Sequence, residues 1–297
     1  MKIMHDVDMR EYTSFRAGGR ADVMAVPDSV QELQEILQEV HEKQEDYLLL
    51  GNGSNTIFRD EGYHGVVIHL GEAFSGIEIS GERLKAGGAA LISAAAHEAM
   101  EHGLGGMEPI SGIPGSIGGA VFMNAGAYGG EMKQLIESAE VVSADGQEIR
   151  TLSCEELELG YRSSRIQKTG EVVVSVTLKL MPVDRNEILQ AMQEFTQKRN
   201  SKQPLQYPSA GSFFKRPEGY FAGKLIQDAG LKGVSVGGAQ ISAKHSGFMI
   251  NRGGATANDI LELMHLVQNT VKDRFGVEME PEVRIVGGPA DTEKEGK

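Results

Sequence analysis

The stretch from Ser111 to Gly130, SGIPGSIGGAVFMNAGAYGG, constrains this chain more than any other. It holds seven glycines and one proline in twenty residues, too many for the interior of an ordinary helix or strand. Each glycine costs a helix about 1 kcal/mol relative to alanine, so such a run needs a compensating reason. Interleaved Ile113, Ile117, Val121, Phe122 and Met123 require burial, which makes a flexible surface loop the weaker reading. A buried glycine loop presents bare peptide N–H groups, and successive N–H groups form a nest for phosphate oxygens.

A second glycine loop, GNGSNT at Gly51 to Thr56, follows the apolar strand signal YLLL at Tyr47 to Leu50. It has G-x-G after a strand, but Thr56 stands where the Rossmann fingerprint needs a third glycine, and no helix opens behind it. The chain has no G-x-x-x-x-G-K-[ST] either. Alone, GNGSNT reads as a tight turn. Paired with the downstream stretch it reads as one of two phosphate-cradling loops, and a dinucleotide has two phosphates to cradle.

The 297 residues allow two or three domains with ample core. A net charge of −13 leaves no broad basic face and excludes a nucleic-acid binder, so an anionic ligand must be held by a local cluster. A single cysteine, Cys154, excludes an intrachain disulfide and fits a reducing cytoplasm. The N-terminal MKIMHDVDMR is charged where a signal peptide needs its apolar core, and no uncharged apolar run reaches the ~18 residues of a membrane span. The expectation is a cytoplasmic protein with no membrane segment.

Along the chain, Ala21 to Pro27 alternates as a short strand, and Asp28 or Ser29 caps a helix carrying Val30, Leu33, Ile36, Leu37 and Val40 on one face. With YLLL and the strand GVVIHL at Gly65 to Leu70 this makes a small strand-helix-strand unit, its glycine loop at a strand's carboxyl end, where open α/β sheets bind ligands. From Gly76 the texture changes. GIEISGERLKAGG reads as a hairpin, Ala90 to His102 as a helix stopped by Gly103, and AEVVSADGQEIRTL as a hairpin turning at Asp145-Gly146. Ser153 is placed to cap a short helix, and EVVVSVTLKL at Glu171 to Leu180 is a long alternating strand. Asp184 to Asn200 is helical with Ile188, Met192 and Phe195 in register, and the polar KRNSKQP at Lys198 to Pro204 is the best linker. Beyond it come short strands near Gln240 and Phe248, and a helix opened by the capping pair Thr256 and Asp259 and ended by Gly276. The strand EVRIV at Glu282 to Val286 precedes a charged tail expected to be disordered.

Of the reactive side chains, His97-Glu98 and His102 suggest a zinc helix, but a spacing of five puts the two imidazoles about 140° apart and no metal site is expected. YRSSR at Tyr161 to Arg165 places two arginines, planar forks for a carboxylate or phosphate, in a short irregular segment. In SAGSFFKRP, Ser212 sits between a glycine and two phenylalanines, so its hydroxyl is expected to face a partly dry site, either as a capping serine or as a proton donor. Glu282 stands at the mouth of an apolar strand, alternating with Arg284. Lys215, Arg216, Lys224, Lys232, Lys244 and His245 form the local basic cluster that an anionic ligand needs.

Taken together, TSFRAGG, GNGSN, SGIPGSIGGAVFMNAGAYG, GYRSS, AGSFFK, AGKLIQDAGLKG, GGAQIS with NRGGATANDI, and EVRIVG resemble the MurB family of UDP-N-acetylenolpyruvoylglucosamine reductases, in the family's order and over most of the chain. The resemblance implies an α+β chain: a two-subdomain FAD-binding fold of the vanillyl-alcohol-oxidase type plus a C-terminal α+β substrate domain. The boundaries expected are 1–72 for FAD subdomain 1, with a C-terminal strand at 278–290 returning to it, 73–203 for subdomain 2 and 204–277 for the substrate domain. It implies FAD as cofactor, NADPH as co-substrate, a UDP-sugar as substrate, a monomer or weak homo-oligomer, and a role in peptidoglycan synthesis. The chain lacks the longer insertion with a substrate-clamping tyrosine, so it resembles the shorter subgroup.

Residue by residue, the resemblance places the proton donor on Ser212, a charge-stabilising arginine on Arg162 and a glutamate on Glu282. FAD is expected against Gly51, Asn52, Gly53, Ser54, Asn55 and Thr56 of the first loop. In the second it is expected against Ser111, Gly112, Ile113, Pro114, Gly115, Ser116, Gly118, Gly119, Asn124 and Gly126. Tyr161, Lys215, Arg216, Lys224 and Gln240 are the expected substrate contacts, Arg216 standing where the family motif often has asparagine. In this chemistry a flavin hydride adds to the β-carbon of the enolpyruvyl group and Ser212 protonates the α-carbon. A flavin oxidase of the same fold and a non-catalytic nucleotide-binding module are the readings the residues leave beside it.

Overall fold

Element boundaries follow local chemistry. Ser29 Oγ accepts the Glu32 N–H at 3.1 Å and opens the helix Val30–Lys43, which buries Leu33, Ile36, Leu37 and Val40 on one face. The computed structural model describes residues 1–288, and the charged tail expected to be disordered lies outside the described residues. The chain forms two units. The first comprises Met1–Met4, Met24–Asn52 and Val66–Arg199; the second comprises His5–Val23, Gly53–Gly65 and the described residues from Asn200 on.

In the first unit the strand Tyr47–Leu49 pairs in parallel with Val66–Ile68, Leu48 opposite Val67 and Leu49 opposite Ile68. Its larger sheet is antiparallel and five-stranded, in the order Ile149–Ser153, Ile136–Val142, Val172–Lys179, Arg83–Gly87, Ile77–Ser80. Both hairpins that the sequence predicts are in it. The strand at 172–179 alternates as expected from Val174 to Lys179 but not at its start. Val172, Val173 and Val174 are all buried, because a central strand is covered on both faces. The helices Ile92–Glu101 and Ile117–Met123 add Ile92, Ala95, Ala99, Ile117, Ala120 and Val121 to this core.

That second helix corrects an expectation, since it lies inside the glycine stretch. Ser116 Oγ caps it at the Gly119 N–H (3.2 Å), and Asn124 ends it in the left-handed region. A methyl group at Gly118 would lie 3.0 Å from the Gly88 carbonyl oxygen, and one at Gly88 only 2.2 Å from that of Val173. The glycines let helix backbone approach sheet backbone, and the packing gained outweighs their poor propensity. Two further expectations differ. Ser153 closes a turn rather than a helix, accepting from Glu156 N at 3.3 Å, since buried Leu157 and the Arg165 N–H to Leu157 carbonyl bond draw the chain inward. The chain passes from the first unit to the second at Arg199–Asn200, inside KRNSKQP, but most of that segment is helical: the helix Arg185–Lys202 runs into it, because no helix breaker occurs before Pro204.

The second unit is built from three separate stretches. Its sheet runs Ser209–Ser212, Phe248–Asn251, Ala239–Ile241, Ser235–Val236, all antiparallel. The helix Ala257–Phe275 carries the expected Thr256–Asp259 capping box and closes at Gly276. Its first N–H groups are also held from elsewhere: the Asp60 carboxylate accepts Ala257 N and Asn258 N, each at 2.8 Å. Asn251 Nδ2 donates to the carbonyls of Phe15 (3.1 Å) and Arg16 (3.2 Å), drawing the TSFRAGG segment over the core of Phe213, Met249, Ile260 and Val267. The strand Arg284–Val286 pairs in parallel with Thr56–Phe58.

Asp60→Ala removes both remote bonds to the helix terminus while leaving Thr256 in place. The expected loss is about 1–3 kcal/mol in urea unfolding, the cost of stranding two N–H groups. An unchanged midpoint would show that water serves them equally well.

Candidate active site

The first glycine loop begins in the first unit and ends in the second. At its start, Asn52 Nδ2 donates to the Pro114 carbonyl at 3.0 Å, and a methyl group on Gly51 would lie 2.6 Å from Ser116 Oγ. The two glycine loops therefore lie against each other at Gly51-Asn52 and Pro114–Ser116. At its end, Gly53 adopts φ +61°, a methyl group there would lie 1.9 Å from the Tyr12 carbonyl oxygen, and its own carbonyl accepts Ser14 N at 3.1 Å. The backbone N–H groups of Asn52, Gly53 and Ser54 make no hydrogen bond to any described residue. Consecutive unspent donors beside a second glycine loop fit the diphosphate of a dinucleotide.

Not every expected contact keeps a free side chain. Asn124 is buried, and its amide donates to the Gly160 carbonyl (3.0 Å) and to Glu131 (3.2 Å) while accepting Lys133 N (2.9 Å). It serves as a clamp between the glycine stretch and the segment that carries Arg162. Ser111 Oγ is spent on the Glu108 carbonyl at 2.8 Å, and Gln240 bonds Gly233, Ser235 and Arg252. Asn55 Nδ2 donates to the Glu282 carbonyl at 3.1 Å, and the Asn55 carbonyl accepts Arg284 N at 3.0 Å.

Ser212 and Glu282 are brought together inside the second unit. The strand Ser209–Ser212 has an irregularity before Ser212, with Gly211 at φ +76°. Phe213 follows, and its N–H donates to the Gly247 carbonyl (2.9 Å) while its carbonyl accepts Glu282 N (2.8 Å). Ser212 is exposed rather than in the partly dry site expected, because it ends its strand and Phe213 and Phe214 take the core positions. A buried capping serine is thereby excluded.

Arg162 belongs to the first unit, beside exposed Tyr161, with its guanidinium 5.1 Å from that ring's centre. Its φ of +51° is a left-handed conformation that a non-glycine residue adopts at a cost of about 1 kcal/mol. Paired backbone bonds between Gly160 and Ser163 and the Gln167 amide on the Arg162 carbonyl (3.1 Å) hold it there. Of the basic cluster, Lys215 pairs with Glu280 and Lys224 with Asp228. Arg216 donates to the Tyr220 carbonyl at 3.2 Å and lies 4.0 Å over the Phe221 ring.

Sequence reasoning missed Arg199. It is half-buried with no carboxylate partner among the described residues, and a methyl group on Gly112 would lie 2.7 Å from its Cδ. Burial pushes its guanidinium below the ordinary value, with Tyr128 opposing. The signal was there in KRN, a cation that cannot leave a packed helix end, but its polarity read as linker.

Residues 203–286 match the family model described as UDP-N-acetylenolpyruvoylglucosamine reductase, C-terminal domain, and residues 21–152 match an FAD binding domain. The UDP-N-acetylenolpyruvoylglucosamine reductase of Alkaliphilus oremlandii (strain OhILAs) is 49% identical over 285 residues, 96% of this chain and 93% of that one. The chain belongs to the MurB family. A second member of the family, from Clostridium perfringens (strain SM101 / Type A), is 50% identical over 95% of this chain and 92% of its own length. The crystal structure of the Thermus caldophilus MurB matches with a TM-score of 0.82 at 36% identity, covering 96% of this chain and 98% of that one. The fold is thus the family's, an FAD-binding fold followed by its C-terminal domain, and the chain is an FAD-dependent oxidoreductase. This carries the reductase over the other two readings. Among the described residues no helix is long and apolar enough to cross a membrane, and no group of three or more His, Cys, Asp or Glu side chains is placed to hold a metal ion.

Gly51→Ala forces its methyl group onto Ser116 Oγ, which caps the helix Ile117–Met123. Flavin absorbance per polypeptide is expected to fall severalfold in purified protein while circular dichroism stays unchanged. Full flavin retention would remove this loop contact from the cofactor site.

Proposed function

We propose that this chain reduces the enolpyruvyl ether of UDP-N-acetylglucosamine to the lactyl ether of UDP-N-acetylmuramate, with NADPH as electron source, as a cytoplasmic step of peptidoglycan synthesis. Residues 1–72 and 73–203 would hold FAD through the two glycine loops, and 204–277 the UDP-sugar, with the strand Arg284–Val286 pairing with Thr56–Phe58 of the first part. The observation that carries the reading is the Phe213 carbonyl to Glu282 N–H bond. It sets a hydroxyl and a carboxylate, from positions seventy residues apart in sequence, on neighbouring backbone segments. Arg199, desolvated against Gly112, supports an anionic group at the second loop.

FAD, once bound and reduced by NADPH, would supply a hydride to the enolpyruvyl β-carbon. Negative charge then grows on the α-carbon and its carboxylate. The Arg162 guanidinium, presented in one backbone conformation, offers a planar pair of donors to that carboxylate, an effect of about 3–4 kcal/mol for an oxyanion-type donor. Glu282 orients the charge-bearing group or, protonated, donates to it. Ser212 Oγ gives its proton to the α-carbon and completes the addition. Its exposure leaves the hydroxyl accessible to substrate, and the bonds on either side of Phe213 fix where it is presented.

Two variants test the roles separately. Ser212→Ala is expected to lower turnover by about 10²–10⁴-fold while NADPH still bleaches the flavin at the wild-type rate in stopped flow, because only proton delivery is lost. Equal loss of both half-reactions would refute the role. Arg162→Lys keeps the charge and loses the fork, with an expected drop of about 10²–10³-fold in turnover; near-normal turnover would take Arg162 out of the chemistry.

A further inference from the structure

The turn Ser242–Gly247 holds Lys244 and His245 of the basic cluster, and its hydrogen bonding singles out His245. Gly247 N–H donates to His245 Nδ1 at 3.1 Å. A backbone N–H can only donate, so Nδ1 carries no proton and the neutral ring holds its hydrogen on Nε2. The Gly247 carbonyl accepts Phe213 N, and the Phe213 carbonyl accepts Glu282 N. One continuous run therefore leads from an imidazole nitrogen to the backbone flanking Ser212 and Glu282. Ser212 itself stands opposite Phe248, whose ring meets the His245 ring at 5.1 Å, edge to face.

The turn is built around that acceptor. Ser242 Oγ accepts Lys244 N (3.1 Å) and His245 N (3.2 Å), fixing the histidine's backbone. Ser246, between His245 and Gly247, is buried with a hydroxyl that has no partner among the described residues, so it gives Gly247 N–H no substitute acceptor. On the other side, Gly223 of the helix Ala222–Asp228 packs close enough that a methyl group there would lie 3.1 Å from Gly247 N and 3.5 Å from the imidazole.

We propose that His245 is a positioning residue for the reduction: its unprotonated Nδ1 holds Gly247, and through Gly247 and Phe213 holds the edge that presents Ser212, so protonation of the ring releases that edge. The inference rests on the reading of Ser212 as proton donor.

Burial pushes His245 below its ordinary value of 6.5, its own backbone bond opposes, and the charges of Lys202 and Lys232 lower it further. The other charged groups on the elements around it are Lys244 in the turn and the paired Lys224 and Asp228 on the packed helix; the strands Ser209–Ser212 and Phe248–Asn251 carry none. The sign follows. Above 6.5 the acceptor is intact, and as pH falls through the lowered value Nδ1 gains a proton and the Gly247 bond is lost.

The test compares wild type, His245→Asn and His245→Phe as FAD-loaded enzymes. Asparagine Oδ1 reaches as far as Nδ1 and does not titrate; phenylalanine keeps the ring and loses the acceptor. Wild-type turnover should fall on an acid limb with its midpoint below 6.5. The asparagine variant should lack that limb, and the phenylalanine variant should be about three- to tenfold slower at every pH, the worth of one hydrogen bond. Flavin bleaching by NADPH should match wild type in all three. Amide exchange of Phe213 and Gly247 by NMR should rise in wild type across the same midpoint. An acid limb unchanged in His245→Asn, or no exchange step in wild type, would overturn the proposal. An exchange step in an enzyme whose Ser212→Ala variant is fully active would overturn the proton-donor reading and leave the hold on the strand standing.

Discussion

Asn55 holds the C-terminal segment of the described chain from two sides. Its amide donates to the Glu282 carbonyl and its carbonyl accepts the Arg284 N–H. The parallel pairing of Arg284–Val286 with Thr56–Phe58 starts from that grip, and so does the approach of Glu282 to Phe213. A parallel pair cannot be closed by a local turn, so residues more than two hundred positions apart have to find each other. With Ser14 bonded both to Gly53 and, through Oγ at 2.6 Å, to the Ser209 carbonyl, the same neighbourhood also ties down the strand that ends at Ser212. The site's placement is thus largely a backbone matter, decided before any side chain is chosen for chemistry.

Much of this was legible in the sequence where signals were local. Ser29, Thr256 with Asp259, Gly276 and Asp145-Gly146 each mark their own boundary through a cap or a turn, and the structure puts elements there. The glycine stretch was legible as a close approach of backbone, but one of the things approached is the protein's own sheet, which is why Gly118 sits in a helix over Gly88. What was not legible is long-range bookkeeping of polar groups. Asn124 and Gln240 look like ligand contacts in a one-dimensional reading, and only in three dimensions is it evident that they also bond Gly160, Glu131, Lys133, Gly233 and Ser235. Arg199 shows the converse. A charge in a polar run reads as solvated until burial shows that it is not.

The electrostatics follow the same division. A chain of net charge −13 does not surround its site with excess cations. Lys215 and Lys224 are matched by Glu280 and Asp228, and such exposed pairs contribute little to stability. Arg162 and Arg199 are different: the first is held in a left-handed backbone conformation and the second is desolvated. The desolvation of Arg199 costs free energy that an anionic partner would offset, whereas the backbone conformation of Arg162 fixes only where its side chain leaves the chain.

The reliance of the second unit on Arg284–Val286 has a consequence for biogenesis. A ribosome releases the amino-terminal partner strand Thr56–Phe58 more than two hundred residues before its mate Arg284–Val286. Until then Ile57 and Phe58, buried at 0% exposure in the finished unit, lack their neighbour. The growing polypeptide therefore carries an unsatisfied strand edge through most of translation, the kind of surface that holdase chaperones retain. Maturation of this unit waits for Arg284–Val286 to be made, so slower elongation prolongs the exposure of that edge.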